Sequence, residues 1–234
     1  MFRIGRYEIS EPAICCSIIG KKEDIREESA KAVEKSADLL EIRLDKMKDF
    51  SDIKPLFDLD IPTIATNRTK EEGGHFEGDE KERIEILSKC IEEGASCIDI
   101  ELSTENELTK EITKKAREND SSIILSHHDF EKVPSIENLQ KKVKEMEKYE
   151  HDFKKIIGYS NSREESVNIL EFLILENSKN RDLITFAMGE KGSFTRITAP
   201  VLGSPFTYAS MKEKTAPGQL GFSTVKDILD MYKE

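Results

Sequence analysis

The stretch "LLEIRLD" (residues 39–45) alternates apolar and polar in strict period two, with Leu40, Ile42 and Leu44 on one face and Glu41, Arg43 and Asp45 on the other. Such alternation marks a β-strand with one apolar face. A second stretch, "SCIDIEL" (96–102), repeats it, with Ile98, Ile100 and Leu102 against Asp99 and Glu101. Solvent is the simplest home for the charged faces. Whether it is the right one depends on what surrounds the two strands.

Further strand-like runs begin near Ile14 ("ICCSIIG"), Ile61 ("IPTIATNR"), Ser122 ("SIILSHHDF"), Phe153 ("FKKIIGYSN"), Leu183 ("LITFAMG") and Pro205 ("PFTYASM"). Helical stripes separate most of them: Ile25, Val33 and Ala37; Ile84, Leu87 and Ile91; Leu108, Ile112 and Ala116; Ile136, Leu139, Val143 and Met146; Val167, Leu170 and Ile174. A last helix from Ser223 carries Val225, Ile228, Leu229 and Tyr232, whereas 192–203 is poorly patterned. Eight βα units in about 220 residues predict an α/β chain folded as a (β/α)8 TIM barrel. An open doubly wound sheet is the competitor, but no glycine-rich nucleotide motif follows any strand. With no linker or internal repeat, residues 1–234 are expected to form a single barrel domain, the first dozen as a short N-terminal hairpin capping its bottom.

Composition narrows the function classes. The 234 residues are 37% hydrophobic and 35% charged, so a core sits beneath a heavily charged surface. A formal net charge of −11 disfavours nucleic acid or an anionic membrane as a whole-surface partner. Cys15, Cys16, Cys90 and Cys97 lack C-x-x-C spacing, which fits reduced buried thiols rather than a disulfide framework or a zinc site. No apolar run approaches the ~20 residues needed to span a bilayer, and "MFRIGRYEIS" lacks the apolar core of a signal peptide. A cytoplasmic protein is expected. Oligomeric state stays open, a homodimer included.

In a barrel the outer strand face packs on helices, so Leu40, Ile42 and Leu44 point outward and Glu41, Arg43 and Asp45 point in. Unpaired charges there would cost several kcal/mol each, so they must pair with one another or with something bound. Asp99 and Glu101 are the candidates for a purely structural pairing. More polar residues collect where strands end: Arg68, Glu72 and the Gly73-Gly74 turn, "SHHDF", "MGEKGSFTR", and "KEKTAPGQLG", which suits a lid over a ligand. Parity separates His127 from His128 and Lys154 from Lys155 without saying which of each pair faces inward.

Taken together, "EIRLD", "RTKEEGG", "IDIEL", "SHHDF", "KKI", "AMGEKGSFTR" and "TAPGQ" occur in the order found in type I 3-dehydroquinate dehydratases, and the chain resembles that family over nearly its whole length. The resemblance implies a (β/α)8 barrel that needs no metal or organic cofactor and dehydrates 3-dehydroquinate in the shikimate pathway. It implies that Lys155 forms a Schiff base, that His128 rather than His127 moves protons, and that Glu72 orients that histidine. It maps substrate-binding positions onto Ser17, Glu41, Arg43, Arg68, Arg196, Thr215 and Gln219. Thr215 departs from the serine of many relatives but keeps a hydroxyl, and "IIGYSN" departs in a way that leaves Tyr159 without a role.

The implied chemistry needs these residue types. Eliminating water from a β-hydroxyketone requires removing a weakly acidic proton, and an iminium ion formed on lysine supplies the electron sink. Burial and neighbouring arginines are expected to favour the neutral amine. A histidine suits the proton transfers, and Arg196 can hold a carboxylate bidentately. Two rivals are a Schiff-base aldolase, which would want a phosphate cup that is not evident here, and a non-catalytic ligand-binding barrel, which would need no such lysine.

Overall fold

The computed structural model describes residues 1–178, 182–212 and 215–233. Eight parallel strands form one sheet: β3 (Ala13–Ile19), β4 (Leu39–Arg43), β5 (Thr63–Thr66), β6 (Cys97–Glu101), β7 (Ser122–Asp129), β8 (Phe153–Tyr159), β9 (Leu183–Met188) and β10 (Phe206–Ser210). Their hydrogen-bonded order runs from β10 through β3 to β9, so every neighbour along the chain is also a neighbour in space. The two end strands, β9 and β10, approach through Phe186 and Tyr208, whose ring centroids lie 6.1 Å apart. The result is the nearly closed barrel expected from the βα count.

Helices α1 (Lys22–Glu34), α2 (Glu80–Glu92), α3 (Asn106–Glu118), α4 (Ile136–Met146), α5 (Arg163–Asn177), α6 (Thr195–Val201) and α7 (Phe222–Leu229) follow seven of these strands. After β4 the chain makes only a 3-10 turn at Lys54–Leu56. That segment holds Pro55 and no apolar period long enough for a helix. The hairpin is present: β1 (Phe2–Ile4) pairs antiparallel with β2 (Tyr7–Ile9). Phe2 stacks against Phe206 at 5.6 Å and meets Phe153 edge-on at 5.8 Å, both first residues of their strands, so the hairpin closes the barrel's N-terminal end.

Most predicted stripes are buried, with three exceptions, of which Tyr232 lies past the end of α7 in a 3-10 turn and is 55% exposed. Val33 is 40% exposed, and on α5 Val167 and Ile174 are more than half exposed while Ile169, Phe172 and Leu173 are buried. The α5 segment "SVNILEFLIL" is apolar nearly all round, so period alone selects no face. The alternation in β4 and β6 is as expected. Leu40, Ile42, Ile98 and Ile100 are wholly buried on one side, and Glu41, Arg43, Asp99 and Glu101 are buried on the other. All four cysteines are buried free thiols.

Candidate active site

Lys155 enters the barrel from β8, level with Ser126 of β7. Its Nζ lies 2.9 Å from Asp99 Oδ2, 3.7 Å from Glu41 Oε1 and 4.2 Å from the Tyr208 ring centroid. Its contacts are thus carboxylates and a ring face, not the arginines expected to favour the neutral amine. Lys154, one residue earlier, leaves on the outer face and pairs with Asp182 at 2.6 Å. One step of strand parity separates the two lysines.

His128 comes from the end of β7, and its Nδ1 meets Glu72 Oε2 at 2.8 Å while its backbone N–H donates to the same oxygen at 3.0 Å. Glu72 is carried by a turn that requires glycines. Gly73 has φ +77°, and a Cβ there would come within 2.1 Å of the Phe130 ring; one on Gly74 would fall 2.1 Å from the Arg68 carbonyl oxygen. Burial, then the charge of Arg68, push the His128 pKa down to about 4 against the opposing pull of Glu72, so the imidazole is neutral at pH 7. Burial favours the neutral acid of Glu72, but His127 and His128 outweigh it and hold the carboxyl at about 2. His127 stands 3.8 Å from Glu72 and does not line the cavity.

Beneath these groups the charges satisfy one another. Arg68 reaches Asp99 at 2.7 Å, Glu101 at 2.8 Å and the Ser126 hydroxyl at 2.7 Å. Glu101 also accepts from the buried Arg83 of α2, which extends the network outside the barrel. Arg43 forms a fork on Asp45 at 2.8 and 3.0 Å, and Asp45 in turn accepts from the His75 backbone N–H. Glu41 accepts from the hydroxyls of Ser17 and Thr66.

Arg196, from α6, is different. It is 1% exposed, packs its guanidinium 4.3 Å above the Phe186 ring and donates at 3.3 Å to the Pro217 carbonyl, while its Nε has no partner among the described residues. No carboxylate of the described residues pairs with it, and burial alone lowers its pKa to about 9. A buried guanidinium without a counter-ion is suited to an anionic ligand.

Thr215, Ala216 and Gln219, after β10, line this cavity. Thr215 donates through Oγ1 to Ser17 Oγ at 3.0 Å and through its N–H to Gln219 Oε1 at 2.7 Å, and Gly189 donates to the Pro217 carbonyl at 3.2 Å. Residues 213–214 of the expected lid lie outside the described residues. Nine of the ten predicted site residues, all but Ser17, line one cavity of about 50 Å³. Ligand pockets commonly offer about 300 Å³ or more, so a ring-sized ligand requires the cover or the side chains to move. Ser17 touches the site through Glu41 and Thr215.

The cavity lining also includes the rings of Tyr208 and Phe186, which the sequence does not single out, and Asp99, expected to be purely structural, lies outside the lining but meets Lys155 Nζ at 2.9 Å. Asp99 shares the inward face of "SCIDIEL" with Glu101, a signal that could have placed it under the lysine; the two rings carry no motif. Among the described residues no three metal-ligating side chains gather.

A family model described as type I 3-dehydroquinase matches residues 14–234. A 3-dehydroquinate dehydratase of Methanosarcina acetivorans is 35% identical, with both chains fully covered. One of Methanococcus maripaludis is 37% identical over 93% of this chain and 99% of its own. The crystal structure of the 3-dehydroquinate dehydratase of Geobacillus kaustophilus superposes with a TM-score of 0.90 at 25% identity, covering 100% of this chain and 97% of that one. The type I enzyme of Clostridium difficile, solved with covalently modified comenic acid, gives the same TM-score and identity over 99% and 97%. This chain belongs to the type I 3-dehydroquinase family.

Proposed function

We propose that this enzyme converts 3-dehydroquinate to 3-dehydroshikimate through an imine on Lys155, within one catalytic domain spanning residues 1–234. The observation that carries the reading is the meeting, in one cavity, of a lysine amine, a neutral histidine held by a carboxylate, and a buried arginine without a counter-ion among the described residues. Arg196 binds the substrate carboxylate. The uncharged Lys155 amine attacks the ketone carbon; the carbonyl oxygen leaves as water, and the nitrogen becomes an iminium. His128 takes the proton from the carbon beside the iminium, and the electron pair left behind moves into an enamine. The same imidazolium then protonates the β-hydroxyl as it departs, giving a syn elimination and restoring the iminium. Water releases the enone and regenerates the lysine.

Glu72 orients His128 through Nδ1, leaving Nε2 for the substrate. Ser17, Glu41, Arg43, Thr215 and Gln219 supply hydrogen bonds to the ring hydroxyls. Arg68 already holds Asp99, Glu101 and Ser126, and after burial its charge is what keeps the imidazole neutral. A covalently modified organic acid in the C. difficile relative fits the covalent reading. A cytoplasmic location and a homodimer complete it; the uncovered Val167, Ile174 and Leu175 of α5 beside Val201 and Leu202 offer an apolar face for a second copy. The test is the rise of the conjugated enone's ultraviolet absorbance on adding dehydroquinate. Purified, folded protein that produces no enone contradicts the proposal.

A further inference from the structure

Tyr208 enters the cavity from β10 and spreads its ring beneath the lysine nitrogen, 4.2 Å from the ring centroid. The residue is 4% exposed, and its hydroxyl has no hydrogen-bond partner among the described residues. Burying a hydroxyl unpaired costs about 1–3 kcal/mol, a cost that phenylalanine, with nearly the same shape, would avoid. Burial, then Glu41, Cys15 and Asp99, hold the phenol pKa well above its ordinary value, so the hydroxyl keeps its proton and is able to donate it in a hydrogen bond.

Glu41 and Asp99 are also the carboxylates that flank Lys155, at 3.7 and 2.9 Å. Phenol and ammonium therefore feel the charge of the same two carboxylates, and in the free protein the ammonium is paired with them. The chemistry removes that occupant. In the attacking amine and again in the enamine the nitrogen carries no charge, and two buried carboxylates lose a counter-ion. Arg68 and Ser126 stay on Asp99, and Ser17 and Thr66 on Glu41, but nothing among them replaces the lysine.

We propose that Tyr208 is a positioning residue: its ring fixes Nζ, and its hydroxyl donates to the Asp99–Glu41 pair whenever the lysine nitrogen is uncharged. No proton is transferred; the phenol finds its partner only during the reaction, which is why it has none at rest. The proposal rests on the imine reading of Lys155.

Tyr208→Phe keeps the ring and removes the hydroxyl. Losing one hydrogen bond to a charged group predicts a fall of about tenfold in kcat and in the rate of borohydride-trapped imine formation. KM stays within about twofold, because the contact is absent from the ground-state complex. The melting temperature of the free protein holds or rises, because a buried unpaired donor has gone. Tyr208→Leu, which also removes the ring, loses further activity. A Tyr208→Phe protein with kcat and trapping rate within twofold of the unaltered enzyme overturns the proposal. So does one whose activity falls only in step with its melting temperature. No adduct on Lys155 in the unaltered protein removes the imine reading and this proposal with it, whereas an adduct there beside a fully active Tyr208→Phe removes the proposal alone.

Discussion

Arg68 and Arg196 line the same cavity, both are buried, and they are satisfied in opposite ways. Arg68 sits among Asp99, Glu101 and Ser126, every contact within 2.8 Å. Arg196 has, among the described residues, a ring face, one carbonyl at 3.3 Å and an unpartnered Nε. A paired buried charge holds structure together, because removing either partner strands the other. An unpaired one is a liability in the free protein and an asset once an anion arrives. The floor of this barrel is therefore built, and its rim is waiting.

The largest effect expected is at the floor's one reactive group. Lys155→Ala abolishes turnover, while Lys154→Ala keeps most of it, although both lysines are buried and paired to carboxylates. Equal losses in two folded variants would show that pairing, not the inward face, governs activity. Arg68→Ala leaves Asp99 with Lys155 and Glu101 with Arg83, and destabilises the protein in denaturant melts by somewhat less than the ~3–5 kcal/mol of a fully stranded buried charge. Arg196→Lys removes the planar fork and costs roughly ten- to a hundredfold in kcat/KM, with little change in stability. If the two arginine variants instead lose stability equally, the contrast between floor and rim fails.

His128 gives the comparison a pH dependence. Its folded pKa of about 4 lies below the ordinary 6.5, so as pH falls the unfolded chain binds the proton first. The stability it contributes is full above pH 6.5 and is lost as pH drops toward 4. The imidazole itself, followed by NMR, titrates near pH 4 rather than 6.5. Glu72→Gln removes the partner that raises the histidine's pKa and moves that titration lower still. A titration at 6.5 in the unaltered enzyme would mean that neither burial nor Arg68 acts on the imidazole. The smallest effect belongs to the cover. Saturating ligand should slow proteolysis within residues 212–219, and Gln219→Ala should weaken that protection; a loop cut equally fast with and without ligand is no lid.

Much of this was legible in the sequence for a physical reason. Period-two alternation in β4 and β6, with helices to cover the apolar side, leaves the charges nowhere to point but inward. Chemistry at the strand ends was legible as well, because turns there use glycines that cannot be exchanged, as at Gly73 beside Phe130. Choosing His128 over His127 and Lys155 over Lys154 required the family resemblance, since both faces of "SIILSHHDF" and "FKKIIGY" are apolar or mixed. What could not be read was partnership across the barrel. Asp99 reaches Lys155 from a strand 56 positions earlier in sequence, and Tyr208 slides its ring under the same nitrogen from the opposite side. The expected face of α5 differs from the observed one because its middle run, "SVNILEFLIL", is apolar nearly all round and carries no period to follow.

The most direct test of the central claim is to reduce the protein with borohydride in the presence of dehydroquinate, weigh it intact, and map the adduct. The account predicts one adduct per chain on the peptide bearing Lys155, still formed in Lys154→Ala and absent from Lys155→Ala. An active enzyme that gains no mass, or an adduct that persists in Lys155→Ala, contradicts it.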